Sequence, residues 1–254
     1  MRLKGKAIVV TGATKGIGRG IAEVLAKEGA FLLVAGRNVE EGEALAKEIK
    51  NAGNQAEFIR VDISQAKECF GMIDKAVEIY GKIDGLVNNA GIFPYFEYMD
   101  TTEEIFDKVL ATNTKGPFFA VQRALKYMME QKGGSIVNIG STHWDMGSKL
   151  ISAYSISKGA LHTLTRHVAH HFAGFGIRCN WITVGWVLTP GEIGRVEKDG
   201  HDLDWLNERA SKSIPSGKMQ TPEDIAYACI YLLSDESKQV TGTDIKVNGG
   251  FHFP

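Results

Sequence analysis

Residues Lys6 to Gly18, KAIVVTGATKGIG, decide how this chain folds. The first half of the stretch is an apolar run that predicts a buried strand, and it leads directly into a loop with three glycines, Gly12, Gly16 and Gly18. Residues 18–28 then show amphipathic spacing and are followed by Gly29, a pattern typical of a helix and its end. A strand, a glycine loop and a helix in this order predict a phosphate-binding turn at the helix N-terminus.

The rest of the chain alternates predicted strands and helices. Further strands are expected at 31–35, 56–61, 83–88, 135–139, 176–182 and 244–247, and further helices at 39–50, 65–80, 102–131, 152–172 and 222–233. Near-continuous apolar strands separated by helices predict a parallel sheet that is covered on both faces. We therefore expect an α/β fold, a three-layer doubly wound parallel sheet of the Rossmann type, in a single domain spanning residues 1–254.

Composition and charge exclude several classes of function. The 254 residues are 44% hydrophobic and 23% charged, which is ordinary for a globular protein. The net charge of −1 provides no basic stripe for nucleic acid and no polybasic patch for a membrane surface. No apolar segment approaches the length of about 18 residues that a membrane helix needs, and no signal peptide is recognisable. We expect a cytoplasmic protein with neither nucleic-acid nor membrane partners.

A second informative stretch runs from Ser141 to Lys158, STHWDMGSKLISAYSISK. Tyr154 and Lys158 are four residues apart in a segment with helical apolar spacing, so they should share one helix face. The lysine ammonium is expected to lower the pKa of the tyrosine from about 10, and Ser141 can hold a carbinol oxygen for proton transfer. Because Y-x-x-x-K recurs in unrelated helices, its meaning depends on the rest of the chain.

Together these residues resemble the short-chain dehydrogenase/reductase family in its single-domain form. The resemblance rests on the glycine signature, an Asn-Asn-Ala-Gly segment, an asparagine, a serine and a Tyr-x-x-x-Lys motif, which fall on Thr11 to Gly18, Asn88 to Gly91, Asn113, Ser141, Tyr154 and Lys158. It implies an oxidoreductase that interconverts a secondary alcohol and a ketone by hydride transfer with a nicotinamide cofactor. One departure is Val184-Gly185, where the family often has Pro-Gly.

The resemblance also implies roles for individual residues. Tyr154 would be the general acid in reduction and the base in oxidation, Lys158 would lower its pKa and bind the nicotinamide ribose, and Asn113 would hold a relay water. Asp62 would bind the adenine amino group and Thr189 the carboxamide. The implied cofactor-binding set is Gly12, Thr14, Lys15, Gly16, Ile17, Gly18, Arg37, Asp62, Ile63, Asn89, Ala90, Gly91, Tyr154, Lys158, Val187 and Thr189.

The end of the second predicted strand indicates which cofactor is preferred. An acidic residue at this position would bind the ribose 2′-hydroxyl of NAD, but the chain has Gly36 and Arg37 there and Lys15 in the facing loop. Two cations favour a 2′-phosphate, so we expect NADP(H) to be preferred over NAD(H). If Arg37 instead stacks on adenine and Lys15 points into solvent, both cofactors should serve nearly equally.

The substrate is less well defined. Ser141, His143 and Tyr154 are expected to contact it, and the charged stretch 191–216 is expected to form a lid over a small polar carbonyl such as a sugar, polyol or keto acid. Five aromatic residues either line the pocket or pack structurally: Phe93, Tyr95, Trp144, Trp186 and Trp205.

Three other functions remain open. A 3-oxoacyl-acyl-carrier-protein reductase is disfavoured because residues 128–130 and Phe175 lack the basic side chains that would dock the carrier protein. Chemistry like that of tropinone reductases, on alkaloids or steroids, is a further possibility. A non-catalytic dinucleotide sensor is disfavoured because the catalytic set is complete.

Other residues are expected to be structural. His167 and His171 are four apart on the predicted 152–172 helix, but no H-E-x-x-H glutamate or cysteine ligand accompanies them, so we expect no metal site. The scattered cysteines are expected to be buried apolar residues, namely Cys69, Cys179 and Cys229. The family resemblance implies a homotetramer formed through the 102–131 and 152–172 helices and the last strand, with the tail 251–254 near a subunit boundary.

Overall fold

The strands of the protein form one parallel sheet. In a computed structural model, which describes residues 1–251, strands β1 to β7 are Ala7–Thr11, Phe31–Gly36, Gln55–Arg60, Gly85–Asn88, Gly134–Ile139, Ile177–Val184 and Asp244–Val247. They are hydrogen-bonded in the order β3-β2-β1-β4-β5-β6-β7, and every neighbouring pair is parallel. Because the order changes direction at β1, the carboxyl ends of β1 and β4 flank a crevice, the usual ligand site of such sheets.

Helices cover both faces of the sheet. Helices α1 to α9 are Gly16–Lys27, Val39–Asn51, Ala66–Tyr80, Glu103–Leu110, Gly116–Gln131, Ser152–Phe172, Pro190–Lys198, Leu203–Ser213 and Pro222–Leu233. One core lies between the sheet and helices α1, α2 and α9, and a second lies between the sheet and helices α3, α5 and α6. The three-layer α/β fold predicted from the alternating pattern is therefore confirmed.

One predicted helix is wrong in detail. The segment 102–131 is not a single regular helix, because a π-helical turn, Ala111–Lys115, separates α4 from α5. The π turn contains Asn113, whose buried side chain bonds to the backbone of Ile92. Helix α5 then begins at Gly116, where an added Cβ would overlap the Ile63 carbonyl oxygen. The wider turn is thus held by tertiary contacts that helical spacing does not encode.

The charged stretch 191–216, expected to form a lid, contains nearly all of α7 and the whole of α8. Thr189 and Asp202 cap these helices by accepting hydrogen bonds from backbone N–H groups. Both helices contribute to a small apolar cluster of Val196, Leu206, Ala210, Ile214 and Met219. Phe251 packs against this cluster within the chain, and the position of the tail near a subunit boundary stays a prediction. The rest of the predicted tail site, 252–254, lies outside the described residues.

The remaining structural expectations concern single residue types. The three cysteines are buried and free, as predicted, and burial raises the pKa of Cys69 to about 12. Within residues 1–251 no helix combines the length and apolarity needed to cross a bilayer. The rings of His167 and His171 stack with centroids 5.7 Å apart, and the described part of the chain adds no third potential metal ligand to them.

Candidate active site

The glycine loop lies at the carboxyl end of β1. Gly12 and Gly16 have positive φ angles of 62° and 57°, which glycine adopts at little cost. Gly18 is required by space, because a Cβ there would overlap the Gly12 carbonyl oxygen. Lys15 occupies the N-cap position of α1 without a side-chain cap, so the first N–H groups of the helix remain available to an anionic ligand.

The segment after β4 is fastened to the glycine loop by hydrogen bonds. The Thr11 hydroxyl accepts from the backbone N–H groups of Asn89 and Ala90 at 3.0 and 3.1 Å. The Asn89 amide donates to the carbonyls of Thr11 and Gly12 at 2.9 and 3.1 Å. These bonds fix the two sides of the crevice, so the Asn-Asn-Ala-Gly segment stands beside the loop, as its place at a strand end suggests.

The end of β2 stands next to the same loop. An added Cβ at Gly36 would lie 2.5 Å from Thr14 Cγ2, so the close approach of the two segments depends on this glycine. Arg37 and Lys15 are both exposed, and neither has a carboxylate within ion-pair distance among the described residues. Two cations that form no close ion pair among the described residues therefore border the mouth of the crevice.

Asp62 lies at the end of β3. Its carboxylate accepts hydrogen bonds from the Ser64 N–H at 3.0 Å and the Ser64 hydroxyl at 2.8 Å. Burial opposes ionisation, but these bonds and the charges of Arg37 and Arg60 outweigh it and lower the pKa of Asp62. The carboxylate is therefore an ionised acceptor at neutral pH. The next residue, Ile63, is buried against α5.

Helix α6 places Tyr154 and Lys158 one turn apart, as predicted. The lysine ammonium lies 5.6 Å from the centre of the tyrosine ring and donates to the Ile139 carbonyl at 2.7 Å. Lys158 is 4% exposed, so this charged group is held inside the protein at the end of β5. The carbonyl bond fixes its position beneath the tyrosine.

The prediction that the pKa of Tyr154 is lowered is wrong. Burial raises the pKa of Tyr154 to about 12, although a hydrogen bond with the Ser141 hydroxyl favours the phenolate. Burial lowers the pKa of Lys158 to about 8. Desolvation is the largest cause of both shifts, so the phenol is protonated at neutral pH and can act as a proton donor.

Ser141 and Asn113 are both held by hydrogen bonds to neighbouring segments. Ser141 is buried and accepts a hydrogen bond from the His143 N–H at 3.2 Å, which fixes the start of the loop after β5. The Asn113 amide donates to the Ile92 carbonyl at 2.8 Å and to the Ser157 hydroxyl at 3.0 Å. Its side chain thus joins the loop after β4 to helix α6.

The loop after β6 crosses the glycine loop. The Thr189 methyl group lies 3.7 Å from the position of a Cβ on Gly16, so the two loops face each other across the crevice. Val187 forms an isolated parallel bridge with Gln220, which holds this loop in place. At the unusual Val184-Gly185 pair, a Cβ on Gly185 would come within 2.6 Å of the Gln220 side chain, so the glycine is needed there.

Aromatic rings surround Tyr154. The Phe93 and His143 rings lie 5.9 and 6.4 Å from the Tyr154 ring, and Tyr95 continues the row at 6.1 Å from Phe93. Other aromatic candidates have structural contacts instead: Trp144 stacks on His162, Trp205 stacks on His201, and the Trp186 N–H donates to Glu192. The sequence alone does not decide whether Phe93 and Tyr95 line the pocket or pack structurally. Their position directly after the Asn-Asn-Ala-Gly segment is the signal that favours the pocket.

One feature of the site has no clear sequence signal. Glu192 and Arg195 of the expected lid form a bidentate ion pair next to the aromatic row. From the sequence, this pair resembles an ordinary solvated helix face, because an i,i+3 ion pair is common on exposed helices. Its importance depends on where the fold places α7.

Comparisons with known proteins agree with this geometry. The family model described as Enoyl-(Acyl carrier protein) reductase matches residues 12–252, and relatives match over nearly the whole chain. The chain belongs to the short-chain dehydrogenase/reductase family. It is accordingly an oxidoreductase of the kind that acts on CH–OH groups with a nicotinamide dinucleotide.

Three members of the short-chain dehydrogenase/reductase family illustrate the similarity. The chain is 34% identical to an L-rhamnose 1-dehydrogenase (NAD(P)(+)) of Azotobacter vinelandii and 35% identical to an NADP-dependent (R)-specific alcohol dehydrogenase of Lentilactobacillus kefiri, with 98% of each protein covered. The structure of a single-substitution variant of actinorhodin polyketide ketoreductase with NADPH superposes with a TM-score of 0.92, at 32% identity, and the match covers 97% of both chains. The named activities therefore differ within one shared fold.

A nicotinamide dinucleotide fits the residues of this short-chain dehydrogenase/reductase. The N-terminus of α1 has no side-chain cap, so its first N–H groups can bind a pyrophosphate, and Gly12 and Gly16 shape the loop beside it with positive φ angles. Asp62 is positioned as an acceptor, and Thr189 faces the loop from the opposite side. The crevice thus offers a donor-rich phosphate end and a tyrosine-containing end.

Proposed function

We propose that this protein is an NADP(H)-dependent oxidoreductase that interconverts a secondary alcohol and a ketone, with Tyr154 as general acid and base. The observation that carries the proposal is the arrangement around Tyr154: the Lys158 ammonium lies 5.6 Å from its ring, and the Ser141 side chain acts to lower its pKa. A non-catalytic dinucleotide sensor has no need for a buried lysine and a serine at a tyrosine. The complete set supports catalysis.

The cofactor, when bound, supplies the hydride, and the protein supplies orientation and one proton. In reduction, the Tyr154 hydroxyl donates its proton to the carbonyl oxygen while the Ser141 hydroxyl holds that oxygen. Because the pKa of Tyr154 is about 12, the donor is protonated at neutral pH, and Lys158 stabilises the phenolate that remains. General acid catalysis of this kind contributes about 10²–10⁴-fold to the rate.

Each end of the crevice has its own binding residues in this proposal. The α1 N-terminus and Gly12, Thr14, Gly16, Ile17 and Gly18 hold the pyrophosphate, while Asp62, Ile63, Asn89, Ala90 and Gly91 hold the adenosine half. Lys158 binds the nicotinamide ribose, and Val187 and Thr189 hold the carboxamide. Asn113 keeps α6 in place and supports a relay from Lys158 to solvent.

Arg37 and Lys15 underlie the proposed preference for NADP(H). Both are exposed at the mouth of the crevice without a paired carboxylate among the described residues, and an arginine can engage a phosphate through two N–H groups. The named cofactor of the Lentilactobacillus kefiri relative is also NADP. Two contacts worth about 2–3 kcal/mol together correspond to a preference of about 30- to 150-fold.

The substrate in this proposal is a small polar carbonyl compound, such as a sugar, polyol or keto acid, covered by the lid at 191–216. The aromatic row at Tyr154 and the polar groups of α7 support this class. Carrier-protein docking has less support, because Met128 belongs to the core and Phe175 offers no positive charge.

The experiment is a comparison of kcat/KM for NADPH and NADH on the best substrate from a panel of carbonyl compounds. We expect NADPH to be preferred, and Arg37→Asp to lower kcat/KM for NADPH far more than for NADH. Lys47→Asp, an exposed cation on α2, is the matched control and should leave the ratio unchanged. Equal losses with both cofactors in the Arg37 variant would mean that Arg37 does not bind the phosphate.

A further inference from the structure

The guanidinium of Arg195 on α7 is shared by two carboxylates. Glu192 accepts hydrogen bonds from the Arg195 Nε at 3.0 Å and Nη2 at 2.6 Å, and Asp199 accepts one from the Arg195 Nη1 at 3.1 Å. The Glu192 side chain is only 11% exposed, so its pairing with Arg195 is shielded from solvent. Bidentate, partly buried pairs of this type are stronger than ordinary surface ion pairs. The positive charge of Arg195 is therefore neutralised where it stands.

This ion pair lies at the far end of the aromatic row that starts at Tyr154. The Phe93 ring contacts Tyr154, the Tyr95 ring contacts Phe93, and the Arg195 guanidinium lies 5.6 Å above the Tyr95 ring. Phe93 and Tyr95 are about half exposed, at 50% and 48%, so their faces are accessible. A carbonyl compound held at Tyr154 would extend its substituent along these rings toward Arg195.

Glu192 is fixed by contacts beyond Arg195. Its carboxylate also accepts from the Trp186 N–H at 2.7 Å, and its backbone N–H donates to the Thr189 hydroxyl at 3.2 Å. Burial opposes its ionisation, but the bonds from Arg195 and Trp186 outweigh burial and lower the pKa of Glu192. The carboxylate is therefore ionised and immobile at neutral pH.

The other potential cations near the aromatic row are also neutral or paired. Burial lowers the pKa of His143, so its ring is uncharged at neutral pH. Lys149 lies 3.6 Å from Glu97, and Lys158 is buried behind Tyr154 with its ammonium on the Ile139 carbonyl. An anionic substituent that lies along the aromatic row therefore meets Arg195 together with the two carboxylates that already pair with it, Glu192 and Asp199.

We propose that Glu192 determines the charge of the substrate: by holding Arg195 it makes the pocket select ketones whose flat substituent is uncharged at the end away from the carbonyl, and reject ketones of the same shape that carry a carboxylate there. This inference rests on the proposed function, since it concerns the substrate of the same site. It narrows the substrate class from polar carbonyl compounds in general to the uncharged ones. Glu192 is thus a specificity residue, and it touches no reacting atom.

The kinetic test compares methyl 4-acetylbenzoate with 4-acetylbenzoate, which share the ketone and the ring but differ in charge at the end of the ring away from the ketone. We expect the wild type to prefer the ester at least about tenfold in kcat/KM. Glu192→Gln retains an acceptor for Trp186 but removes one of the two negative charges paired with Arg195, so the ratio of acid to ester should rise at least about tenfold. In the double variant Glu192→Gln/Arg195→Gln, the ratio should return to the wild-type value.

The matched control is Glu197→Gln, which removes one exposed charge from the same helix without touching Arg195. It should leave the ratio of acid to ester unchanged. A Glu197 variant that shifts the ratio as far as the Glu192 variant would overturn the inference, because the effect would then reflect net charge alone. Thermal unfolding of each variant verifies that it is folded.

Calorimetric binding of benzamide and benzoate to the full chain with saturating reduced cofactor provides a readout independent of turnover. The wild type should bind benzamide more tightly, and Glu192→Gln should bind benzoate at least about tenfold more tightly than the wild type does. The inference is overturned if the wild type binds benzoate more tightly than benzamide, or if the variant binds benzoate no more tightly than the wild type does. It is also overturned if neither compound binds. The proposed function has a separate failure, namely no cofactor oxidation with any compound of the carbonyl panel.

Discussion

At the scale of single residues, burial acts in opposite directions on the two groups of the Tyr-x-x-x-Lys motif. It raises the pKa of Tyr154 to about 12 and lowers the pKa of Lys158 to about 8. Both shifts favour the uncharged form of the side chain, because desolvation disfavours the charged form. The chain therefore holds a neutral phenol that can donate a proton. The cost in stability is a buried amine whose protonation is less favourable than in water.

This cost predicts a pH-dependent effect of Lys158 on stability. The folded-state pKa of about 8 lies below the ordinary lysine value of 10.5, so the unfolded chain binds more protons between these pH values and stability rises with pH through this window. Replacing the residue, as in Lys158→Met, should stabilise the fold by about 3 kcal/mol at pH 7 and by less than about 1 kcal/mol at pH 10. Urea unfolding at both pH values measures the difference.

Lys108→Met is the control for this measurement, because Lys108 is exposed and lies in α4 away from the site. It should change stability by less than about 0.5 kcal/mol at either pH. If the gain from Lys158→Met were the same at pH 7 and pH 10, the shift of the lysine pKa would not be its cause.

At the scale of elements, the crevice is built from loops that approach each other too closely for side chains. A Cβ at Gly18, at the start of α1, would overlap the Gly12 carbonyl oxygen and the Asn89 amide. Neither partner can move freely, because the Asn89 amide also bonds to the backbone of Thr11. The glycines thus set the distance between the loop after β1 and the loop after β4.

Gly18→Ala is therefore expected to destabilise the fold by about 1–3 kcal/mol through overpacking and to weaken cofactor binding. Gly71→Ala provides the matched control, since Gly71 lies within α3, has ordinary φ, and has no atom within 4 Å of an added Cβ. The control should stabilise by about 0.5–1 kcal/mol, because alanine is the better helix former. Denaturant midpoints of the two variants that move in the same direction would contradict the proposed crowding at Gly18.

At the scale of the whole molecule, much of the fold follows from local sequence patterns. Strands β1, β2, β4 and β5 are mainly apolar runs that end near a glycine or polar residue, and β3 and β7 mix apolar with charged residues, but all seven strands could be located from the sequence. The positions of Tyr154, Lys158 and Ser141 at strand and helix ends follow from the same pattern. Parallel pairing then brings the loops together at one edge of the sheet.

Three features could not be predicted because they depend on tertiary contacts. The π turn at Asn113 is held by bonds to Ile92, a residue 21 positions away. The raised pKa of Tyr154 reflects burial by neighbouring segments rather than the lysine one turn along the helix. The importance of the Glu192 and Arg195 pair arises from the position of α7 beside Tyr95. Local spacing contains none of this information.

Assembly is also a property of the whole molecule. Exposed apolar side chains on α5 and α6, Phe118 at 45% and Ile156 at 50%, are the surface through which we expect subunits to associate. We expect light scattering at micromolar concentration to give four times the chain mass of 27.8 kDa. Phe118→Asp should reduce that mass, whereas Val39→Asp, an equally exposed position on α2, should not. A monomeric wild type would refute the expected homotetramer.

The central claim is that Tyr154 transfers the proton, and single-turnover reduction of a carbonyl compound by NADPH tests it most directly. In Tyr154→Phe, we expect the rate of hydride transfer to fall at least about a hundredfold, the low end for loss of a general acid. The affinity for NADPH should change little, because the phenol does not bind the phosphates. A variant that binds NADPH normally and retains most of the wild-type rate would contradict the account.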